Sequence, residues 1–403
     1  MKNANKKILL IGASLHSDNR GVNALGLGAI TLLSNNYPNA SISLLCVGEF
    51  RELTERVVIG NKTKEVSVHY FSKENVIKSF FEAYAYRLLS KKRTPRLAIS
   101  ALISSSDIVF DINEGDSFSD IYGLKRIVRH FTDSRLILSW KKPLIFLPQT
   151  LGPFNTLLGK VLARHIICRL EKLYVRDTKA FSFLDKMSAE KELSIDMAVY
   201  MTSEKVDLKV KPNSVGININ GLMYLNRYKS LGGKYAAYPE FLSGLVKKVI
   251  SEGYEVILIP HTYNASQPNT EDDLVAINKF LSSTPAFLNK VSYVDGQYNA
   301  QQLKWIISQT VFFLGSRMHS CIAALSTSTP TIGLSYSYKF EGTFKMFGQQ
   351  DNVISLNDLK KETIPTLIEE ISVTLSKSKS IAKSLEMANQ REMLTIKTTE
   401  DDK

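Results

Sequence analysis

The stretch "LGSRMHSCIAALSTSTP" (314–330) places an arginine and a histidine two residues apart at the mouth of a helix made of small residues. Ser316 reads as the N-cap, which puts Arg317, Met318 and His319 in the first turn. Backbone N–H groups and the positive end of the dipole gather anions there, and Arg317 adds a full charge. A histidine is out of place at that end, because the dipole disfavours its charged form unless a bound anion reverses the effect. A structural histidine is the plainer reading of a single His. Arg317, Ser316 and the position just after an apolar run together favour an anion site with an acid beside it.

Five further stretches follow apolar runs. "GASLHSDNRGVNALGLGAI" (12–30) offers Asn19 and Asn23 to a polar substrate, yet its glycines match neither a dinucleotide fingerprint nor a phosphate loop, and close helix packing explains them equally well. "DINEGDSFSDIYG" (111–123) crowds four carboxylates, of which Asp116 and Asp120 are candidate bases. The competing reading makes Asp116 or Ser117 a helix cap. "FLPQTLGPF" (146–154) fixes Gln149 between prolines for neutral hydrogen bonds. In "YVRD" (174–177) Arg176 either pairs with the capping Asp177 or offers its guanidinium to a carboxylate or phosphate. "IPHTYN" (259–264) presents His261, with no second ligand at metal spacing, so no metal is expected.

These stretches need a scaffold that puts strand ends together. Apolar runs at 6–12, 40–48, 106–113, 142–149 and 172–177 alternate with amphipathic stretches of helix length, and a second series begins at 214. Such alternation predicts parallel sheets with right-handed crossovers. The fold expected is α/β, two Rossmann-like doubly wound domains facing a cleft, in the glycosyltransferase-B manner. The expected bounds are 1–201 for the first domain (acceptor side), 202–213 for a polar linker, 214–365 for the second (donor side) and 366–403 for a helical tail that packs back across both. Ligands in such sheets bind beyond the carboxyl ends of the strands.

Composition narrows the class. The 403 residues exceed one ordinary core, and 44% hydrophobic with 22% charged residues is globular usage. Cys46, Cys168 and Cys321 stand far apart among apolar neighbours and read as buried thiols. The apolar run Ile8 to Ile11 is shorter than a signal-peptide core, so a cytoplasmic protein is expected. The net charge of +12 suits anions. "KKRTPR" (91–96) lacks the interleaved aromatics of an RNA binder and reads as a solvated loop or a membrane-surface patch.

At 315–344, "GSRMHSCIAALSTSTPTIGLSYSYKFEGTF" resembles the C-terminal signature of the polysaccharide pyruvyl transferase family: Ser-Arg-hydrophobic-His, a small-residue helix, a proline, a Ser-Tyr strand and Lys339. "GDSFSDIYG", "LPQTLGPF", "VRD" and "IPH" fall in the family's order, and the likeness spans 8–345. The resemblance implies phosphoenolpyruvate as donor, with no cofactor besides this co-substrate, and a sugar or lipid-linked oligosaccharide as acceptor. Weak contact of basic side chains with anionic lipid, peripheral at the inner face of the membrane, would suffice to meet a lipid-linked acceptor. It makes His319 the general acid and places Arg317, Met318 and Arg176 on the donor. Ser316, His261, Lys339, Asn19, Asn23 and Gln149 complete the candidate binding set, and no nucleic-acid partner is expected. Two departures stand out: "NRGVNALGLGAI" lacks the family's Gly-Asp step, and Met318 replaces the usual Leu. A sugar-nucleotide glycosyltransferase of the same fold, or a non-catalytic anion or nucleic-acid binder, are the alternatives.

Overall fold

The computed structural model describes residues 5–88, 95–121, 123–185, 190–226, 233–264, 270–285, 289–337, 339–391 and 393–396. The chain divides into two compact units at Met201/Thr202, with two exchanges: residues 16–24 belong to the second unit and residues 393–403 to the first.

The first unit runs β1 (Lys7–Ile11), α1 (Arg20–Asn36, which begins within the second unit's segment), β2 (Ser41–Val47), β3 (Arg51–Ile59), β4 (Lys62–Phe71), α2 (Lys73–Leu88) and α3 (Ala98–Ser105). It continues through β5 (Ile108–Asp111), α4 (Leu124–Ser139), β6 (Leu144–Gln149), α5 (Leu157–Ile167), β7 (Lys172–Val175), α6 (Thr178–Leu184) and β8 (Glu192–Leu193). Its sheet has the order β3-β4-β2-β1-β5-β6-β7-β8 and is parallel except for the β3–β4 hairpin. β1, β5 and β6 are apolar because helices cover both faces of a parallel sheet; Leu9, Val109 and Phe146 are wholly buried.

The second unit runs β9 (Ser214–Asn218), α7 (Gly221–Leu225), α8 (Tyr238–Ser251), β10 (Glu255–Leu258), α9 (Asp273–Ser283), β11 (Val291–Tyr293) and α10 (Ala300–Ser308). Then follow β12 (Phe312–Gly315), α11 (Met318–Leu325), β13 (Thr331–Ser335), α12 (Lys339–Lys345), β14 (Val353–Ser355), α13 (Ile364–Ser376) and α14 (Ser378–Asn389). The order β11-β10-β9-β12-β13-β14 is parallel throughout.

Each sheet reverses direction once. In the first the chain builds outward from β1 and then returns to β5, where Ile11 pairs with Asp111. In the second it returns from β9 to β12, where Asn218 pairs with Gly315. Such switch points open a crevice at the carboxyl ends of the strands.

Three expectations change. The 202–213 stretch is packed, not a bare linker: Val206, Leu208 and Val210 lie against the second unit's core, and the alternation that allows it is visible in "VDLKV". The tail divides, since α13 packs on α8 within the second unit while Asn36 of the first binds the backbone of Leu394 and Ile396. Cys321 is buried and Cys46 half-buried, but Cys168 is exposed because it caps the last turn of α5. Lys91, Lys92 and Arg93 lie outside the described residues.

Candidate active site

In the second unit the turn after β12 differs from the expected cap. Arg317, not Ser316, is the N-cap of α11, and no side chain caps that helix. The Ser316 hydroxyl instead meets the Tyr238 hydroxyl at 2.8 Å, and its carbonyl accepts Asn220 Nδ2 at 2.9 Å. Met318 and His319 therefore form the first turn, both half-buried, with uncapped backbone amides around them.

Arg317 is buried and held. Its Nε and Nη2 donate to Asp273 Oδ1 at 3.1 and 2.8 Å, and Nη2 also donates to the Glu271 carbonyl at 2.7 Å. Burial by itself would lower the guanidinium pKa; the Asp273 carboxylate outweighs it and raises it above the usual value. Arg317 thus arrives with a carboxylate already bound, and only Nη1, 3.7 Å from Glu271 Oε2, keeps its fork partly open. Asp272 is the N-cap of α9, while its neighbour Asp273 turns to the strand ends. Asp273 also accepts from the backbone N–H of Gly221, His261 and Thr262 and from Asn218 Nδ2. One carboxylate with no exposed surface thereby ties together the ends of β9, β10 and β12.

His261 is buried, and its Nδ1 has no hydrogen-bond partner among the described residues. Burial first, then the charges of His319, Arg317 and Arg20, hold it well below the ordinary imidazole range, so His261 is neutral. Tyr336, pushed upward by burial while Arg317 and Lys339 oppose, faces the same group of charges. Lys339 begins α12 and is half-buried.

The 16–24 segment docks on this strand end. Asn19 bridges Thr262, Arg20 N–H donates to the His261 carbonyl at 3.0 Å, and the Arg20 guanidinium stacks 4.2 Å from the Tyr263 ring centroid. The Asn23 amide does not present itself to a substrate as expected, since it closes on Ser17 in both directions, while Asn19 Oδ1 accepts from Gly21 N–H. Gly21 lies against the His319 ring, since a Cβ there would stand 2.5 Å from Nδ1. Gly28 meets the packing reading, for a Cβ would fall 1.8 Å from the Met197 carbonyl oxygen.

In the first unit the carboxylates separate by role. Asp120 accepts from the N–H groups of Asn155 and Thr156 at 2.9 and 2.7 Å and from the Thr156 hydroxyl at 2.7 Å. These bonds overcome its desolvation and lower its pKa, so Asp120 fastens the start of α5 and is poorly suited to take a proton. Neither Asp116 nor Ser117 is the N-cap of the next helix, because α4 begins only at Leu124, after Gly123. Asp116 is half-buried and acts on Arg176 electrostatically. Arg176 pairs with Asp196 Oδ2 at 2.5 Å and donates through Nε to Thr150 at 2.9 Å, while Asp177 caps α6. Burial opposes its charge, but Asp196, Asp116 and Asp177 outweigh it. Gln149 is wholly buried, its Nε2 on the Asp111 carbonyl at 3.0 Å, so it braces the sheet instead of lining a surface.

At the β1–β5 switch point lies a pocket of about 260 Å³, with Gly12, Cys46, Tyr70, Glu114, Arg129 and Asp133 among its walls. Gly12 has φ +68°, and a Cβ would press on Asp111 Oδ1 and Asn113 N at 2.5 Å. Burial raises Asp111 to about 7. Glu114, reached through left-handed φ values at Asn113 (40°) and Glu114 (53°), binds Arg126 and Arg129 at 2.7 Å each. Burial raises Asp133 to about 6, although 25% of its side chain is accessible. The pocket holds one fixed ion-pair cluster and one carboxyl that changes charge near neutrality.

The profile of the family described as polysaccharide pyruvyl transferase matches residues 19–338. The amylovoran biosynthesis protein AmsJ of Erwinia amylovora is 22% identical over 294 residues, covering 70% of this chain and 68% of that protein. Among solved structures, a UDP-N-acetylglucosamine 2-epimerase from Listeria monocytogenes superposes with a TM-score of 0.57 at 11% identity, covering 96% of this chain and 92% of the other. A trehalose-6-phosphate protein from E. coli bound with UDP-2-fluoro glucose gives 0.53 at 12% identity, covering 96% of both. These likenesses identify the glycosyltransferase-B-like fold.

Proposed function

Because the chain belongs to the polysaccharide pyruvyl transferase family, we propose that it moves the pyruvyl group of phosphoenolpyruvate onto a sugar in polysaccharide biosynthesis, forming a cyclic ketal and releasing phosphate. The observation that carries the reading is the uncapped start of α11 at the β9–β12 switch point, with Arg317, His319, His261 and Lys339 gathered near it. An enol phosphate carries a phosphate and a carboxylate, and an open helix terminus with adjacent cations suits both.

His319 delivers a proton to the methylene carbon of the donor, and the positive charge that develops at the central carbon is taken by an acceptor hydroxyl oxygen. A second hydroxyl displaces phosphate, whose departing oxygen keeps the electrons of the broken C–O bond. One hydroxyl proton restores His319 and the other leaves with phosphate. Arg317, already neutralised by Asp273, orients the donor as part of a fixed turn, and neutral His261 supports it without competing for the proton. Asp116 is the remaining candidate base, and Arg176 beside it serves to hold that carboxylate's surroundings. The first unit's pocket, with Glu114, Arg129 and Asp133 among its walls, offers polar groups that suit sugar hydroxyls. AmsJ, a protein of amylovoran biosynthesis, supports an extracellular polysaccharide or its lipid-linked precursor as the acceptor.

The test is incubation with phosphoenolpyruvate and a panel of sugar acceptors, following phosphate release and acceptor mass. Phosphate release with an acceptor of increased mass is expected. His319→Ala should abolish turnover and leave phosphoenolpyruvate binding within about threefold, as for a group that acts in the transition state. Phosphate-bearing product from a sugar nucleotide, with none from phosphoenolpyruvate, would overturn the reading in favour of a glycosyltransferase.

A further inference from the structure

The outer face of one helix layer in the first unit is apolar where a solvent-facing layer ought to be polar. Helix α4 packs against both α2 and α5. Each of the three turns outward an apolar pair spaced four residues apart: Ile77 and Phe81 on α2, Leu124 and Val128 on α4, Leu157 and Val161 on α5. Phe81 is 67% exposed and Leu157 80%. An amphipathic helix hides that stripe in the core, yet here the core-facing residues are others, such as Val76, Ile127 and Ile166, so these helices are apolar on two sides. Exposed apolar residues scattered singly need no explanation, whereas an exposed apolar pair repeated on each of three neighbouring helices points to an interaction surface.

The charge around the patch identifies its partner. The three helix sequences hold nine Lys and Arg against three Asp and Glu, a net of +6, of which Arg126 and Arg129 are held by Glu114 and the rest stay in excess. Lys73, Lys125, Lys160 and Arg164 stand exposed on the same helices, and α5 has no acidic residue. Of the three acids, Asp133 lines the pocket, Glu74 pairs with Lys78, and Glu82 accepts from the backbone of Arg96 and Leu97. A second copy of the chain on this face would oppose like charges across a two-fold contact. Among the described residues no helix is long and apolar enough to cross a membrane.

We propose that the α2–α4–α5 face docks on an anionic lipid bilayer, its apolar pairs entering the headgroup–acyl boundary and its lysines and arginines meeting lipid phosphates. This goes beyond the transfer reaction and stands whether or not phosphoenolpyruvate is the donor.

The full chain is sedimented with unilamellar vesicles of phosphatidylcholine, with and without phosphatidylglycerol. Binding to the anionic vesicles is expected, falling as salt rises, with little on phosphatidylcholine alone. The Leu157→Glu/Val161→Glu and Phe81→Glu variants should each partition at least tenfold less. Lys160→Ala/Arg164→Ala should weaken binding roughly fivefold per residue. The substituted side chains are exposed, so thermal melts followed by circular dichroism should match the parent. Equal binding to neutral vesicles, no binding at low salt, or full binding by the glutamate variants would overturn the proposal. So would light scattering in which these variants dissociate an oligomer that never bound vesicles.

Discussion

Gly21 and His319 touch: the first turn of α1 leaves no room beside the imidazole for a side chain, with His319 Cβ, Cγ and Nδ1 all within 2.8 Å of a Cβ placed at position 21. Rotation of the ring would relieve the contact with Nδ1 but not that with Cβ, which the α11 backbone fixes.

Gly21→Ala tests that contact. Alanine favours a helix over glycine by about 1 kcal/mol, but the overlap with the backbone-fixed His319 Cβ costs more, typically about 1–3 kcal/mol, so the melting temperature should fall modestly. Phosphate release should fall at least tenfold. NMR of the His319 ring should show a displaced signal in the folded variant, and an unmoved ring with full activity would remove His319 from contact with the 16–24 segment.

Asp273→Asn keeps the shape of the carboxylate and removes its charge. Arg317 would stay buried without its counter-ion, which costs about 3–5 kcal/mol for pairs of this kind. Urea unfolding should show that loss. Activity should fall further than for any single donor substitution, since Gly221, His261, Thr262 and Arg317 share the one anchor.

Asp120→Ala distinguishes a base from a fastener. Removing the acceptor of the Asn155 and Thr156 amides should cost about 1–3 kcal/mol, read by denaturation. At a temperature where the variant is folded, turnover should stay within about threefold of the parent, and a loss of a thousandfold would restore Asp120 as a base.

Asp111 makes stability depend on pH. Burial raises its folded value from 3.8 to about 7, so the native state holds a proton that the unfolded chain releases. Its contribution is complete below the unfolded value and is lost as pH rises toward about 7. Asp111→Asn should flatten that decline, worth on the order of 2–4 kcal/mol between pH 4 and pH 8. Melting temperatures across this range measure it.

The central strands were readable because a parallel strand buried on both faces has to be a short apolar run, as in "KILLI" and "LIFLPQ". The β3–β4 hairpin was not, since "RELTERVVI" is an edge strand that is largely exposed and holds five charged or hydroxyl side chains in its first six residues. The turn at 316–319 was legible as a place, because it follows a strand and precedes a helix. Its wiring was not: Ser316 faces Tyr238, 78 residues away in sequence, and Arg317 faces Asp273, 44 residues away. Nothing local in "GSRMH" signals either partner. The likeness of Asn19 and Asn23 to substrate ligands came from residue type alone, and the segment's own turn hydrogen bonds took the Asn23 amide and the Asn19 oxygen.

The exchange of segments between the units bears on how the chain is made. Residues 16–24 leave the ribosome before any other part of the unit they complete, and Leu394 to Ile396, whose backbone groups bond Asn36, leave after the whole of the second unit. Each half is completed by a segment remote in sequence: the first gains its last strap late, and the second draws on a piece synthesised well before it. Cutting the gene at Met201/Thr202 would yield a second half lacking the residues that cover Thr262 and His319.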